Sequence, residues 1–158
     1  MATATVEPTR FLTEQEKAFE LAAFERYQAD PSNWRRQNPE ARGGEGYIDH
    51  EVLPLCDDLN QLEGLCTIQS CCGHVNTHGY QYPGQLWIRL SAEMSRRFDA
   101  RVSELIKQDV IQHVTKLYSF QEGDVPHEVI DLKFWGEPHG RMAEAHAVVA
   151  VFFWELGG

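Results

Sequence analysis

The sequence predicts an α+β fold, a single domain with a mixed, mainly antiparallel sheet packed by helices. Three observations lead there. Strand-like and helix-like stretches follow one another too irregularly for a doubly wound sheet. The connection Gln121-Glu122-Gly123-Asp124-Val125-Pro126 is too short for a crossover, so the strands it joins pair antiparallel. Neither a Gly-x-Gly-x-x-Gly nor a Gly-x-x-x-x-Gly-Lys pattern occurs, which leaves the commonest nucleotide-binding folds without support. At 158 residues the chain is long enough for one sizeable core, so 1–158 is read as one domain, with 1–10 flexible and 32–46 a loop.

The first helix is announced by Thr13 and Glu16 as a capping box, with Phe19, Ala22, Ala23 and Tyr27 at helical spacing, and it should run to about Asp30-Pro31. Pro39, Gly43, Gly44 and Gly46 then mark a loop, whose Trp34-Arg35-Arg36 cluster suits either a lid or a tether held by one buried indole. A second helix places Val52, Leu55, Leu59 and Leu62 on one face, with Asp49 near its start, Pro54 in its first turn and Gly64 as its stop. A strand, Cys66 to Ser70, opens into the loop Gly73 to Gly84, where His74, His78, Tyr80 and Tyr82 collect.

The strand Gln85 to Leu90 alternates, with Leu86, Ile88 and Leu90 on one face and Trp87 and Arg89 on the other. Ser91 caps a third helix carrying Met94, Phe98, Val102 and Leu105 as a core-facing stripe. Strands Val110 to Phe120 and Glu128 to Trp135 follow. The last helix, Arg141 to Leu156, is apolar nearly all round and is expected to be buried along much of its length.

Composition narrows the function classes. Fourteen Lys and Arg against 24 Asp and Glu leave a formal net charge of -10, and a surface of that sign repels phosphate at long range, so general nucleic-acid binding is not expected. A local basic pocket for one nucleotide is compatible with it. Met1 to Pro8 has no basic segment followed by an apolar run, and no window reaches the roughly 20 apolar residues of a membrane helix. A cytoplasmic location with no membrane partner is therefore expected, and Cys56, Cys66, Cys71 and Cys72 are read as reduced thiols.

The candidate site is the run Leu65 to His74, which holds three of the four cysteines. Backbone N–H groups of Ser70, Cys71, Cys72 and Gly73 can form an anion-accepting nest, to which Ser70 and His74 add donors. Trp87 and Arg89 would then stack on a base and pair with a phosphate, or else pack beneath the last helix. Adjacent Cys71 and Cys72 would point to opposite faces of a strand and no Cys-x-x-Cys occurs, so no metal is assigned. Either cysteine beside His74 would suit a thiolate nucleophile, and inert buried thiols are the alternative. His146 reads as a hydrogen-bonded core histidine, while His139 and Arg141 at the mouth of the last helix suit an anion.

Gly46-Tyr47-Ile48-Asp49, Val52-Leu53-Pro54-Leu55, Asp58-Leu59-Asn60 and Thr67-Ile68-Gln69-Ser70-Cys71-Cys72-Gly73-His74 together resemble the wybutosine-synthesis methyltransferase family. Its members carry an acidic helix start, an Ile-Pro-Leu-Leu-like run, Leu-Asn or Ile-Asn, and a signature close to Thr-Ser-Ser-Cys-Ser-Gly-Arg. His74 stands in place of the arginine and Cys72 in place of the serine. The resemblance implies a related fold, a site at Ser70, Cys71, Gly73 and His74, and S-adenosylmethionine as cofactor for methylation of a modified nucleoside in tRNA. From the residues themselves, the function expected is the binding of a nucleotide-like or other anionic small molecule at the Ser70 to His74 turn, with Trp87 and Arg89 opposite. A methyltransferase and a protein-partner-binding module are the alternatives, and no catalytic residue is assigned.

Overall fold

In the computed structural model, residues 10–29, 51–119 and 126–158 are described. The predicted loop 32–46, its Trp34-Arg35-Arg36 cluster, Asp49 and most of the Gln121–Pro126 connection lie outside them. The order is α1 (Glu14–Ala29), α2 (Leu53–Asn60), β1 (Leu65–Cys71), β2 (His74–Val75), β3 (Gln81–Tyr82), β4 (Gly84–Leu90), α3 (Ala92–Ile106), β5 (Ile111–Ser119), β6 (His127–Phe134), a 3-10 turn (Glu137–His139) and α4 (Met142–Gly157).

The main sheet has the order β1-β4-β6-β5 and every neighbouring pair in it is antiparallel. Among the described residues, parallel pairing enters only as the isolated bridge between Arg10 and His127. The extended segment that makes this bridge also joins the sheet through Leu12 N–H to Leu90 O at 2.9 Å.

One face of the sheet carries the core. Leu65, Leu86, Ile88, Leu90, Ile130, Leu132 and Phe134 meet buried side chains of α2, α3 and α4, among them Leu55, Leu59, Phe98, Val149 and Phe153. Phe98, Phe152 and Phe153 form an aromatic cluster with centroids 5.1 to 6.0 Å apart, a spacing at which ring quadrupoles attract. The stripes predicted for α2 and α3 are the ones buried. Ser91 caps α3 by accepting from the Met94 N–H. Asn60, at the end of α2, binds the sheet through Thr67 N–H to its Oδ1 at 2.8 Å and its own Nδ2 to Thr67 Oγ1 at 2.9 Å.

Two expectations are corrected and one is refined. Of the stripe predicted for α1, Phe19 is 69% exposed and Ala22 is exposed, Ala23 is half-buried, and the side chain of Tyr27 lies outside the described residues. This helix is held by polar contacts, with Glu16 on Arg89 at 2.8 Å and Lys17 Nζ on Leu62 O at 2.5 Å. Secondly, α4 is buried along much of its length, as expected, through Ala145, Val149, Phe152, Phe153 and Leu156, but its apolar character continues onto an outer side where Val151 and Trp154 are exposed, the latter at 69%. Its apolar residues outnumber the positions that the sheet and two neighbouring helices can cover. Thirdly, Gly73 to Gly84 is not simply a loop. It contains the short β2–β3 hairpin, closed by Asn76, whose Oδ1 accepts from the N–H groups of His78 and Tyr80 at 2.9 Å. An Asn side chain mimicking a backbone turn is a local device that a search for apolar periodicity does not register.

Candidate functional site on the polar face of the sheet

The second face of the sheet is chemically different. Register places Cys71, Gln85, Lys133 and His113 in one row across β1, β4, β6 and β5, and Gln69, Trp87, Asp131 and Thr115 in the next. Strands stand about 4.8 Å apart, so Cys71 and Lys133 are separated by about 10 Å along the row. Within this patch Gln85 Nε2 donates to Asp131 Oδ1 at 2.8 Å, Lys133 Nζ lies 4.0 Å from Asp131 Oδ2, and His113 Nε2 is hydrogen-bonded to Thr115 Oγ1.

A β-bulge in β1 decides which residues reach this face. Pairing shifts between Thr67 and Gln69, leaving Ile68 as the extra residue. Because strand side chains alternate, one inserted residue exchanges the two faces for everything beyond it. Ser70 thereby pairs with Leu86 on the core side, beside the Cys56 thiol of α2, and Cys71 pairs with Gln85 on the polar side.

The seven residues expected from sequence to bind a ligand are thus divided. Cys71, His74, Trp87 and Arg89 belong to the polar face or its rim, whereas Ser70 and Cys72 turn inward. Cys72 is fully buried, and its thiol donates to Gly73 O at 3.2 Å. Gly73 has φ of +91°, and a side chain there would meet Tyr82 O at 2.8 Å and Gly84 N at 3.1 Å, so its close approach is to the neighbouring hairpin strand. Its N–H points to Cys71 Sγ at 3.4 Å. Arg89 does not pack beneath the last helix. It is 5% exposed and directs Nη1 to Glu16 of α1.

Among the described residues, Trp87 Nε1 and the Nε and Nη2 of Arg89 are buried N–H donors on this face without an acceptor. Buried donors are almost always satisfied, so these define a position where an acceptor is wanted.

At the end of the sheet, Ile111, Gln112, His113, Lys133 and Trp135 line an open cleft of about 630 Å³. The Trp135 ring is held edge-on to His139, centroids 4.6 Å apart, and the Trp135 backbone N–H donates to Val110 O at 2.9 Å. Lys133, near the end of β6, and Trp135, just beyond it, are a basic and an aromatic residue two apart, the same spacing as Trp87 and Arg89. Sequence reasoning singled out the latter pair and missed the former. Nothing local distinguishes the two pairs; the difference is that Glu16 occupies Arg89 while Lys133 borders an open cleft.

The turn and the cleft are tied together by Gly136. Glu137 N–H donates to Cys72 O at 2.9 Å, and a Cβ on Gly136 would stand 2.2 Å from that oxygen. Gly136→Ala is expected to cost about 1–3 kcal/mol, because the clash is with backbone that cannot rotate away. Urea unfolding checks this, and a loss under about 0.5 kcal/mol would mean that the two segments are not rigidly joined.

Two other expectations meet competing partners. Arg141 is engaged by Asp109 at 2.9 Å and Glu144 at 2.8 Å, which leaves its charge neutralised rather than offered to an anion. His146 is hydrogen-bonded to Asp58 at 2.6 Å, joining α4 to α2 at a partly exposed position rather than in the core. No helix among the described residues is long and apolar enough to cross a membrane. Comparison of the chain with protein-family models, curated proteins and solved structures found no match.

Proposed function

We propose that the protein binds a small anionic ligand with a planar group, nucleotide-like in character, in the cleft at the end of the sheet. The carrying observation is the convergence of Lys133, His113 and the Trp135 ring on one open cleft of about 630 Å³. That volume is in the range of small-molecule sites. Lys133 supplies a cation for a phosphate or carboxylate, Gln112 a neutral donor, and Trp135 a flat apolar surface for a ring. An anion binding locally at Lys133 is consistent with an overall charge of -10, which disfavours long polyanions more than one small one.

The test is a thermal-shift titration with nucleoside mono- and diphosphates, inorganic phosphate and S-adenosylmethionine. A nucleotide at 100 times its dissociation constant should stabilise the fold by about 2.7 kcal/mol. Lys133→Ala and Trp135→Ala should each abolish the shift. If they leave it intact while Ser70→Ala with His74→Ala removes it, the ligand sits at the Ser70 to His74 turn instead. A response to S-adenosylmethionine alone would favour the methyltransferase reading that the resemblance implies.

A further inference from the structure

Cys71 is set apart from the other three cysteines by its surroundings. Cys56, Cys66 and Cys72 are fully buried, and burial pushes the Cys56 and Cys66 thiols up to about 11. Cys71 is partly exposed at the end of β1 on the polar face. Its Sγ lies 3.8 Å from His74 Nδ1 and receives the Gly73 N–H at 3.4 Å. The imidazole is oriented by the hairpin: His74 pairs with Tyr82 in the β2–β3 register, and the two rings stack with centroids 4.5 Å apart and planes 22° from parallel. A base beside the sulfur and a backbone donor aimed at it are the two elements that convert a thiol into a thiolate and hold it there.

We propose that Cys71 is a nucleophilic thiol, with His74 as its proton acceptor, that takes up a small disulfide to form a mixed disulfide at the end of β1. This goes beyond the ligand-binding reading and does not depend on it. In the step, the Cys71 proton passes to His74 Nδ1 and the thiolate attacks one sulfur of the disulfide. A new S–S bond forms as the old one breaks, and the second sulfur departs with the electron pair as a thiolate. Cys72 does not resolve the product, because its thiol is fully buried and turned to Gly73 O. The mixed disulfide should therefore persist at one equivalent. Among the described residues, the titratable groups nearest the pair include Tyr82, stacked on His74, Tyr80, edge-on to Tyr82, and Glu137, whose backbone N–H donates to Cys72 O.

The experiment uses the full chain and dithiodipyridine, a neutral aromatic disulfide whose leaving group absorbs, with peptide mapping of the labelled site. One fast equivalent on Cys71 is expected, reacting about tenfold or more faster near pH 6.5 than a small unstructured thiol. His74→Ala should slow it by a similar factor near pH 6.5 and little near pH 9, where hydroxide replaces the imidazole as base. His74→Gln controls for packing against Tyr82 and should behave as His74→Ala does. First labelling at Cys56, Cys66 or Cys72 would overturn the proposal, as would a Cys71 rate equal to that of the unstructured thiol. Equal slowing by His74→Ala at both pH values would assign His74 a merely structural part and also overturn it. Mapping on the unmodified protein decides the first two outcomes even if a variant fails to fold.

Discussion

Arg89→Ala is expected to cost about 3 kcal/mol of folding stability, the lower end of what breaking a buried ion pair costs, because it removes the closest partner of Glu16 and leaves Arg10 and Thr13. Arg89 is 5% exposed, and its 2.8 Å bond to Glu16 is the main polar attachment of α1 to the sheet. Burial acts to raise the Glu16 pKa, but the hydrogen bond and charge of Arg89, with help from Thr13 and Arg10, outweigh it and hold the carboxyl below its ordinary value. The sign follows from that depression. The pair contributes fully above the unfolded carboxylate value, about 4.3, and its contribution is lost as pH falls through the lower folded value. Urea unfolding at neutral pH and through the acid range checks both parts. A loss under about 1 kcal/mol, or an acid limb as steep in Arg89→Ala as in the parent, would show that α1 is held by something else. Leucine at position 89 should cost less than alanine, since it refills the volume even though Glu16 keeps only the weaker partners Arg10 and Thr13.

The second large effect is expected at Lys116. Its Nζ lies 2.6 Å from Asp99, 3.1 Å from Ser95 Oγ and 3.3 Å from Glu128, and Ser95 Oγ in turn donates to Glu128 at 2.5 Å. Glu128 is 6% exposed and Ser95 3% exposed, so this network joins α3 to β5 and β6 where water cannot substitute. Lys116→Met removes the ammonium that stands 5.9 Å from the Phe98 ring centroid and leaves the Glu128 carboxylate without its cation, at a cost of about 3–5 kcal/mol. Adding Glu128→Gln should recover a large part of that, and a double-mutant cycle measures the coupling. Additive losses would mean that Glu128 is satisfied by other groups. Burial acts to lower the Lys116 pKa, but Asp99 and Glu128 outweigh it and raise the value above the ordinary one. Its contribution is thus complete below the unfolded lysine value, about 10.4, and disappears as pH rises through the folded value.

Both networks depend on residues far apart in the chain, which is why neither is visible as a pattern. The same reason governs what was legible in the site. The alternation of Leu86, Ile88 and Leu90 against Trp87 and Arg89 correctly separates the two faces of β4, because alternation is a property of any extended chain. The partner of Arg89 is Glu16, 73 residues away, and no local rule connects them. For Ser70 and Cys71 the difficulty is subtler. The run Leu65 to Cys71 contains no glycine to mark a bulge, so Ser70 reads as a surface donor, and only the shift at Ile68 turns it to the core and brings Cys71 out.

What the sequence by itself determined is the inventory of the longer elements, without the short β2–β3 hairpin. Capping residues, apolar periods and turn formers place α2, β1, β4, α3, β5 and β6 within a few residues of their observed bounds, since each signal acts between neighbours in the chain. What only the tertiary structure decided is which side chains meet: the strand order β1-β4-β6-β5, the exchange of faces at the bulge, the capture of Arg89 by α1, the cleft between Lys133 and Trp135, and the approach of His74 to Cys71. The physical reason is that periodicity is fixed by backbone geometry, residue by residue. Register and long-range ion pairs are instead fixed by the competition among whole surfaces for burial, and that competition is settled only when the elements pack.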